Sequence, residues 1–403
     1  MRFDYAKFSR ISDSAHIDVV LTSSRMNNGY VTDLRRLDYH HYHNSQEYYL
    51  YFRPKARRGM VTVLPRDASK GACLILPASE WSGMHFGGSM YDGVETWIGE
   101  KRWWGSGYYT IEKGPDDPEA TSPFQTAAKV LLEKGFEDSV IGVEMRDISA
   151  MDFGLLTSGL PNAKFVDADS VLWEMRRVKS PEEIDRVRVA SERVCRSIES
   201  AYHSLREGVT VDEVTKVIRR SWLEDGLRDA FTKVIFGVQG GGDGTTPKVL
   251  HSGQLVRIEG GASYLGYLSY VTRVVAFGEV EETSRRAHET VLRMREALFD
   301  ATRAGARCSD IFQLSEKMAT DAGYKPFLIH TAAASGRGLA EPPLFTKDED
   351  SMLERDMVIG LEPGVRIYYP DGTWLNDVVE DIVVVKDGRP ENLTPLGADL
   401  NLS

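Results

Sequence analysis

Residues 255–278 constrain the fold of this chain most. LVRIEGG (255–261) and YLSYVTRVVAFG (267–278) are strand-like runs rich in β-branched and aromatic residues. ASYLG between them is short enough for the two to pair as an antiparallel hairpin. Helices surround this hairpin in sequence. Ser180 is a cap, Pro181 suits the first helical position, and Glu183 closes a capping box. Ile184, Val187, Val194, Ile198, Ala201 and Leu205 then recur on one face, which predicts a helix to about Leu205. Thr210 with Glu213 repeats the box and opens a helix through about Trp222. A third helix is predicted over about 284–303, and a fourth capped by Ser309. MVIGLEPG (357–364) and VVEDIVVVKDG (378–388) read as strands, the second as one apolar strand interrupted by acidic residues. Helices packed on a mostly antiparallel sheet make this part α+β.

The N-terminal part has a different grain. HIDVVLTSS (16–24), VTVLP (61–65), ACLILP (72–77) and VIGVEM (140–145) read as buried strands, and 124–134 as a short amphipathic helix. Strand, helix, strand alternation predicts an α/β layer. Trp81, Trp97, Trp103 and Trp104 stand among glycines and suggest irregular loops. The chain of 403 residues is long enough for two domains. The expected division is 1–170 and 171–403, within the stretch 165–180.

Composition excludes several classes. Hydrophobic residues at 42% and charged residues at 27% suit a globular chain with its own cores. No apolar run approaches the ~18 residues that span a bilayer. MRFDYAKFSRISDS lacks an apolar signal core, so a cytoplasmic protein without a membrane partner is expected. Cys73, Cys195 and Cys308 are too few and too scattered for a disulfide framework or a zinc site. The net charge of −11 comes without a Lys/Arg block, which argues against nucleic acid and suits a cationic or zwitterionic small substrate. GVQGGGDG (237–244) precedes strands and lacks the GxGxxG spacing, so it reads as a flexible loop, not a phosphate cradle. His40, His41 and His43 lie in an aromatic segment, 39–54, without helical spacing or an acidic partner; it reads as a surface or interface loop.

The C-terminal carboxylates carry more information. Glu259 sits within VRIEGG, where apolar neighbours imply burial. Glu362 ends one strand, and Glu380 with Asp381 interrupts VVEDIVVV. Carboxylates in buried strands need a cation, a metal or hydrogen-bond donors. Three such strands are consistent with one shared site or with separate structural ion pairs.

These segments resemble the pita-bread family of prolidase, aminopeptidase P, methionine aminopeptidase and creatinase. In the N-terminal domain the resemblance rests on IDVVLTSSRMNNGYVTD, IGVEMRDISAMDFGLL and LPNAKFVDADSVLWEMRRVKSPEEI. In the C-terminal domain it rests on IEGGASYLGYLSYVTR, GLEPGVRIY and VVEDIVVV, in the family's order. The resemblance implies a creatinase-type α/β domain followed by a pita-bread domain with a curved antiparallel sheet covered by helices. Family peptidases hold two metal ions with two aspartates, a histidine and two glutamates. Matched to that pattern, Glu259 and Tyr270 stand at the aspartates, and Ser335 at the histidine with Arg337 two residues on. Only Glu362 and Glu380 match outright. Tyrosine is neutral near pH 7 and serine is a poor ligand for a divalent ion, so neither a dinuclear metal centre nor any other cofactor is expected. A single ion on Glu259, Glu362 and Glu380 stays open.

Creatinase and ectoine hydrolase share the fold and hydrolyse C–N bonds without metal. The resemblance therefore implies metal-independent C–N hydrolysis, or a related proton transfer, on a small nitrogenous compound. Glu362, Glu380, Tyr270 and His330 are the catalytic candidates. His330 is the nearest substitute for the missing family histidine, and His251 is a weaker one. Glu259, Arg337 and Ser335 are the substrate-binding candidates. The alternatives are a metal-dependent Xaa-Pro peptidase with an altered ligand set and a binding protein that has lost the chemistry. Segment 39–54 and the resemblance together imply a homodimer.

Overall fold

The structure, a computed structural model, describes residues 3–33, 59–77, 96–105, 116–240, 248–328 and 330–399. Segment 39–54 with its three histidines, Trp81, and residues 241–244 of the glycine-rich stretch lie outside the described residues. The chain divides into two compact units, Met1–Arg176 and Arg177–Ser403.

The first unit is built on strands β1 (Val19–Thr22), β2 (Val61–Pro65), β3 (Cys73–Pro77), β4 (Glu100–Trp104), β5 (Val140–Val143) and β6 (Lys164–Asp167), in the order β4-β3-β2-β1-β5-β6. Its central strands are apolar on both faces because helices cover both. Val20, Leu64 and Leu74 meet Phe8 of helix Tyr5–Ser14 and Leu172 of helix Asp169–Arg177. Their neighbours Val19, Leu21, Val63 and Ile75 meet Phe124 and Leu131 of helix Pro123–Glu133, with Leu156 of helix Ala150–Gly159. Period-two alternation thus feeds two cores from one sheet. Trp103 and Trp104 depart from the expected loops. They lie in β4, paired in parallel with Leu76 and Pro77, and Trp104 is buried in the second of those cores.

The second unit carries the predicted hairpin. Strands β7 (Arg228–Phe236), β8 (Gln254–Tyr264) and β9 (Tyr267–Phe277) pair in that order, all antiparallel. Leu265 and Gly266 turn the hairpin with φ of 49° and 82°, the two positive values that a tight two-residue turn needs. Helices Pro181–His203 and Val211–Glu224 open with the two expected capping boxes. They cover one face of the hairpin, where Ile198 and Trp222 pack on Val256, Ile258, Val271 and Val275. Alternation leaves Arg257, Glu259, Tyr270 and Thr272 on the opposite face.

Strands β10 (Lys325–Pro326), β11 (Ala332–Ala334), β12 (Glu341–Leu344), β13 (Val358–Leu361), β14 (Gly364–Tyr368), β15 (Trp374–Val378), β16 (Asp381–Val384) and β17 (Glu391–Asn392) complete this unit. They form the sheets β10-β14-β15 and β12-β11-β13-β16-β17. Two expectations need correction. The run 378–388 is not one strand: β15 ends at Val378, β16 starts at Asp381, and Glu380 occupies the switch between sheets. Helix Cys308–Asp321 is not capped by Ser309. The cap is Arg307, and the N–H groups of Cys308 and Ser309 donate to the carbonyls of Ser351 and Glu349. The neighbouring segment therefore supplies acceptors that a serine hydroxyl would otherwise offer. Among the described residues no helix is long and apolar enough to cross a membrane.

Candidate active site

The uncovered face of the hairpin meets the ends of β13 and β15. Glu362 follows β13, and its N–H donates to the Thr331 carbonyl, which places it beside His330. The Tyr270 hydroxyl donates to Glu362 Oε1 at 2.9 Å, and His330 Nε2 lies 3.1 Å from Glu362 Oε2. One carboxylate is thus held between a phenol and an imidazole. Glu380 is held from another side. Its N–H donates to the Thr272 carbonyl, and the Thr272 hydroxyl donates to Glu380 Oε2 at 2.5 Å.

The switch that carries Glu380 is fixed from the far face of β9. Arg273 is fully buried and donates to the carbonyls of Thr272, Glu380, Thr394 and Leu396. It also pairs with Asp381 at 2.6 Å, and Arg295 reaches the other oxygen of Asp381 at 2.6 Å. These two cations hold the Asp381 carboxyl below its usual range against the effect of burial. Adjacent residues of β9 therefore do different work: Thr272 orients the site carboxyl, and Arg273 anchors the backbone beneath it.

Electrostatics separates the acidic groups. Burial, then the charges of Glu362 and Glu259, push the Glu380 carboxyl well above the usual carboxylate range. The Thr272 hydrogen bond and Arg257 oppose that rise. Burial and the same carboxylates hold the Tyr270 phenol well above its ordinary value, so it is a neutral donor. Glu380 is thereby suited to give a proton, and Glu362 is placed to take one.

The other expected residues fall differently. Glu259 is only half-buried; the buried charge of its strand is Arg257, at 4% exposure. Arg337 stacks its guanidinium over the Tyr267 ring at 5.3 Å, and its N–H donates to Glu341. Ser335 is buried in the continuation of β11, its N–H on the Val358 carbonyl and its Oγ without a hydrogen-bond partner among the described residues. His251 is exposed and pairs with Glu207 at 2.7 Å. Thr272 and Arg257 escaped the sequence reading. Alternation from Tyr270 and Glu259 is the signal that places each on the site face.

Among the described residues, no three His, Cys, Asp or Glu side chains are arranged to share a metal ion. Both oxygens of Glu362 are engaged by Tyr270 and His330, and Thr272 takes an oxygen of Glu380. As arranged, these residues do not fit a metal centre.

Solved structures share this architecture. The prolidase of Pyrococcus horikoshii OT3 superposes with a TM-score of 0.73 at 19% identity, over 98% of this chain and 99% of that one. The Xaa-Pro dipeptidase of Bacillus anthracis does so with a TM-score of 0.75 at 19% identity, over 98% of each. Among sequences, YkvY of Bacillus subtilis strain 168 is 27% identical over 272 residues, which is 66% of this chain and 74% of that one. The pattern of metallopeptidase family M24 matches residues 185–387, just over half of the chain, from within helix Pro181–His203 to just past β16. With the mixed α+β pita-bread fold seen in the prolidase, this match makes the chain a member of metallopeptidase family M24 and a hydrolase.

Proposed function

We propose that this hydrolase cleaves a C–N bond of a small nitrogenous compound without a metal ion, in the manner of the creatinase and ectoine hydrolase branch. The observation that carries the reading is the hydrogen-bonded chain Tyr270–Glu362–His330 beside the buried Glu380, whose carboxyl burial holds well above the usual carboxylate range. Glu362 takes a proton from water, and the water oxygen bonds to the carbon. The C–N bond breaks as Glu380 gives its proton to the departing nitrogen. His330 and the Tyr270 hydroxyl steady Glu362 through the exchange by the hydrogen bonds they share with it. Glu259 faces the cationic part of the substrate. The enzyme is read as a cytoplasmic homodimer without a membrane partner and without nucleic acid as a partner, and the net charge of −11 without a Lys/Arg block supports the last of these alone.

The test is a hydrolysis screen of small amides, ureido compounds, amidines and Xaa-Pro dipeptides. Each is run with protein dialysed against chelator and with added Mn²⁺, Co²⁺ or Zn²⁺. Turnover that survives chelation unchanged is expected. Turnover that appears only with metal, above all on Xaa-Pro dipeptides, would overturn the reading in favour of a metal-dependent peptidase with an altered ligand set.

A further inference from the structure

Arg257 and Arg273 are the two buried arginines of the hairpin, and they are treated in opposite ways. Arg273 spends its nitrogens on carbonyls and on Asp381. Arg257 has Nε and both terminal nitrogens shut away from solvent with no hydrogen-bond partner among the described residues. Phe327 lies beside it, with the guanidinium carbon 5.4 Å from the ring centroid. Glu259, Glu380 and Asp377 are near enough to act on its charge, yet none hydrogen-bonds it. An unmet buried guanidinium is costly, and a folded chain keeps one where a ligand satisfies it.

The surroundings describe that ligand. Arg257 lines a small recess together with Gln239 and Asn376. A second guanidinium, Arg366, stands 5.9 Å from the same Phe327 ring. Arg366 Nε donates to Asn376 Oδ1 at 2.7 Å, and Asn376 Nδ2 donates to Gln239 Oε1 at 3.0 Å. This relay fixes the polar wall of the recess. Two like charges converge on one ring without an anion bonded to Arg257. A planar fork with free donors on a dry wall matches a carboxylate bidentately.

We infer that the Arg257 recess binds a carboxylate of the substrate, two residues along β8 from Glu259. The inference rests on the proposed C–N hydrolysis only for the word substrate; the site itself is a small-carboxylate site. Combined with the acidic cluster next to it, it makes the substrate zwitterionic, a basic nitrogen and a carboxylate held on one strand face about 7 Å apart.

Calorimetric titration with N-acetylglycine and with N-acetylglycinamide, at matched ionic strength, tests it without turnover. The acid is expected to bind at least about tenfold more tightly than the amide. Arg257→Gln should abolish that preference, and Arg257→Lys should keep part of it, since charge remains while the fork is lost. Glu362→Gln should leave it intact. Equal binding of acid and amide by the wild-type protein, or a preference that survives in a folded Arg257→Gln variant, would overturn the inference. If Arg257→Gln does not fold, Arg257→Lys decides: an undiminished preference overturns it. A protein that shows this preference but hydrolyses nothing without metal refutes the proposed reaction and keeps the carboxylate site.

Discussion

His330 Nε2 lies 3.1 Å from Glu362 Oε2, two residues that are 32 positions apart in the chain. Pairing of β11 with β13 makes the contact. Ala332 opposes Leu361, so Thr331 falls opposite Glu362 and brings His330, one residue before it, within reach of the carboxylate. If Glu362 is the base, Glu362→Gln should cut kcat by about 10²–10⁴-fold. The amide still accepts from Tyr270 and offers a donor, so the melting temperature should move little. A structural ion pair forecasts the reverse, since breaking one costs roughly 3–5 kcal/mol. Thermal melts beside kcat separate the two.

Much of this was legible in the sequence, and the exceptions have physical causes. Both capping boxes, the hairpin and the apolar strands are local patterns, and they stand where the residues predict them. The break at Glu380 is not local. It follows from Arg273, more than a hundred positions away, which draws the Glu380 carbonyl and the Asp381 carboxylate together. The cap of helix Cys308–Asp321 was misread for the same reason, because its acceptors come from 349 and 351. In the site, Glu362 and Glu380 stood out as carboxylates in apolar strands, whereas Tyr270 and His330 were reached only through the family resemblance. Arg257 was missed, because an arginine in a strand usually reaches solvent; alternation from Glu259 puts it on the site face, and burial shows that it stays there.

Gly360 tests the placement of Tyr270 without touching any acidic group. A Cβ at Gly360 would lie 1.8 Å from the Tyr270 hydroxyl oxygen and 2.6 Å from its Cζ. The phenol is fully enclosed and cannot swing aside cheaply. Gly360→Ala should therefore displace the hydroxyl from Glu362 and cost about 1–3 kcal/mol of stability by overpacking. Tyr270→Phe in the same background should restore part of that stability, because it removes the clashing atom. Denaturant melts of the two single variants and the double variant check it.

Removal of the Tyr270 hydroxyl alone has its own signature. Tyr270→Phe leaves Glu362 Oε1 without its donor, and hydrogen bonds to charged groups are worth about 1.5–3 kcal/mol. A loss of that order in stability is expected, with a fall in kcat larger than any change in KM if the phenol holds Glu362 in place for the proton transfer. A rise in KM with kcat unchanged would assign Tyr270 to substrate binding alone.

The expected homodimer rests on segment 39–54, and light scattering checks it. A particle of twice the 45.1 kDa chain mass is expected at micromolar concentration, and a species of single-chain mass would refute it. Replacing Tyr48, Tyr49 and Tyr51 with serine should shift the particle toward one chain without lowering the melting temperature of the folded units by more than the lost association predicts.

Glu380 gives the sharpest pH test. Its carboxyl is raised from an ordinary 4.5 by burial first, then by Glu362 and Glu259. The folded protein keeps this proton over a range where the unfolded chain releases it. The contribution to stability is therefore fully present below the unfolded value and is lost as pH rises through the folded one. Glu380→Gln cannot titrate, and its amide fills the same space beside Thr272. Relative to wild type, this variant should become progressively more stable as pH climbs above about 4.5, with the difference levelling once the folded carboxyl has ionised. Its turnover should be lost, because the departing nitrogen then has no acid to protonate it. Melting temperatures of both proteins across pH 4–9 decide the matter. A difference that is flat with pH would mean that Glu380 is charged in the folded state, and the carboxylate would then have to act as a counter-charge to the substrate and not as its proton donor.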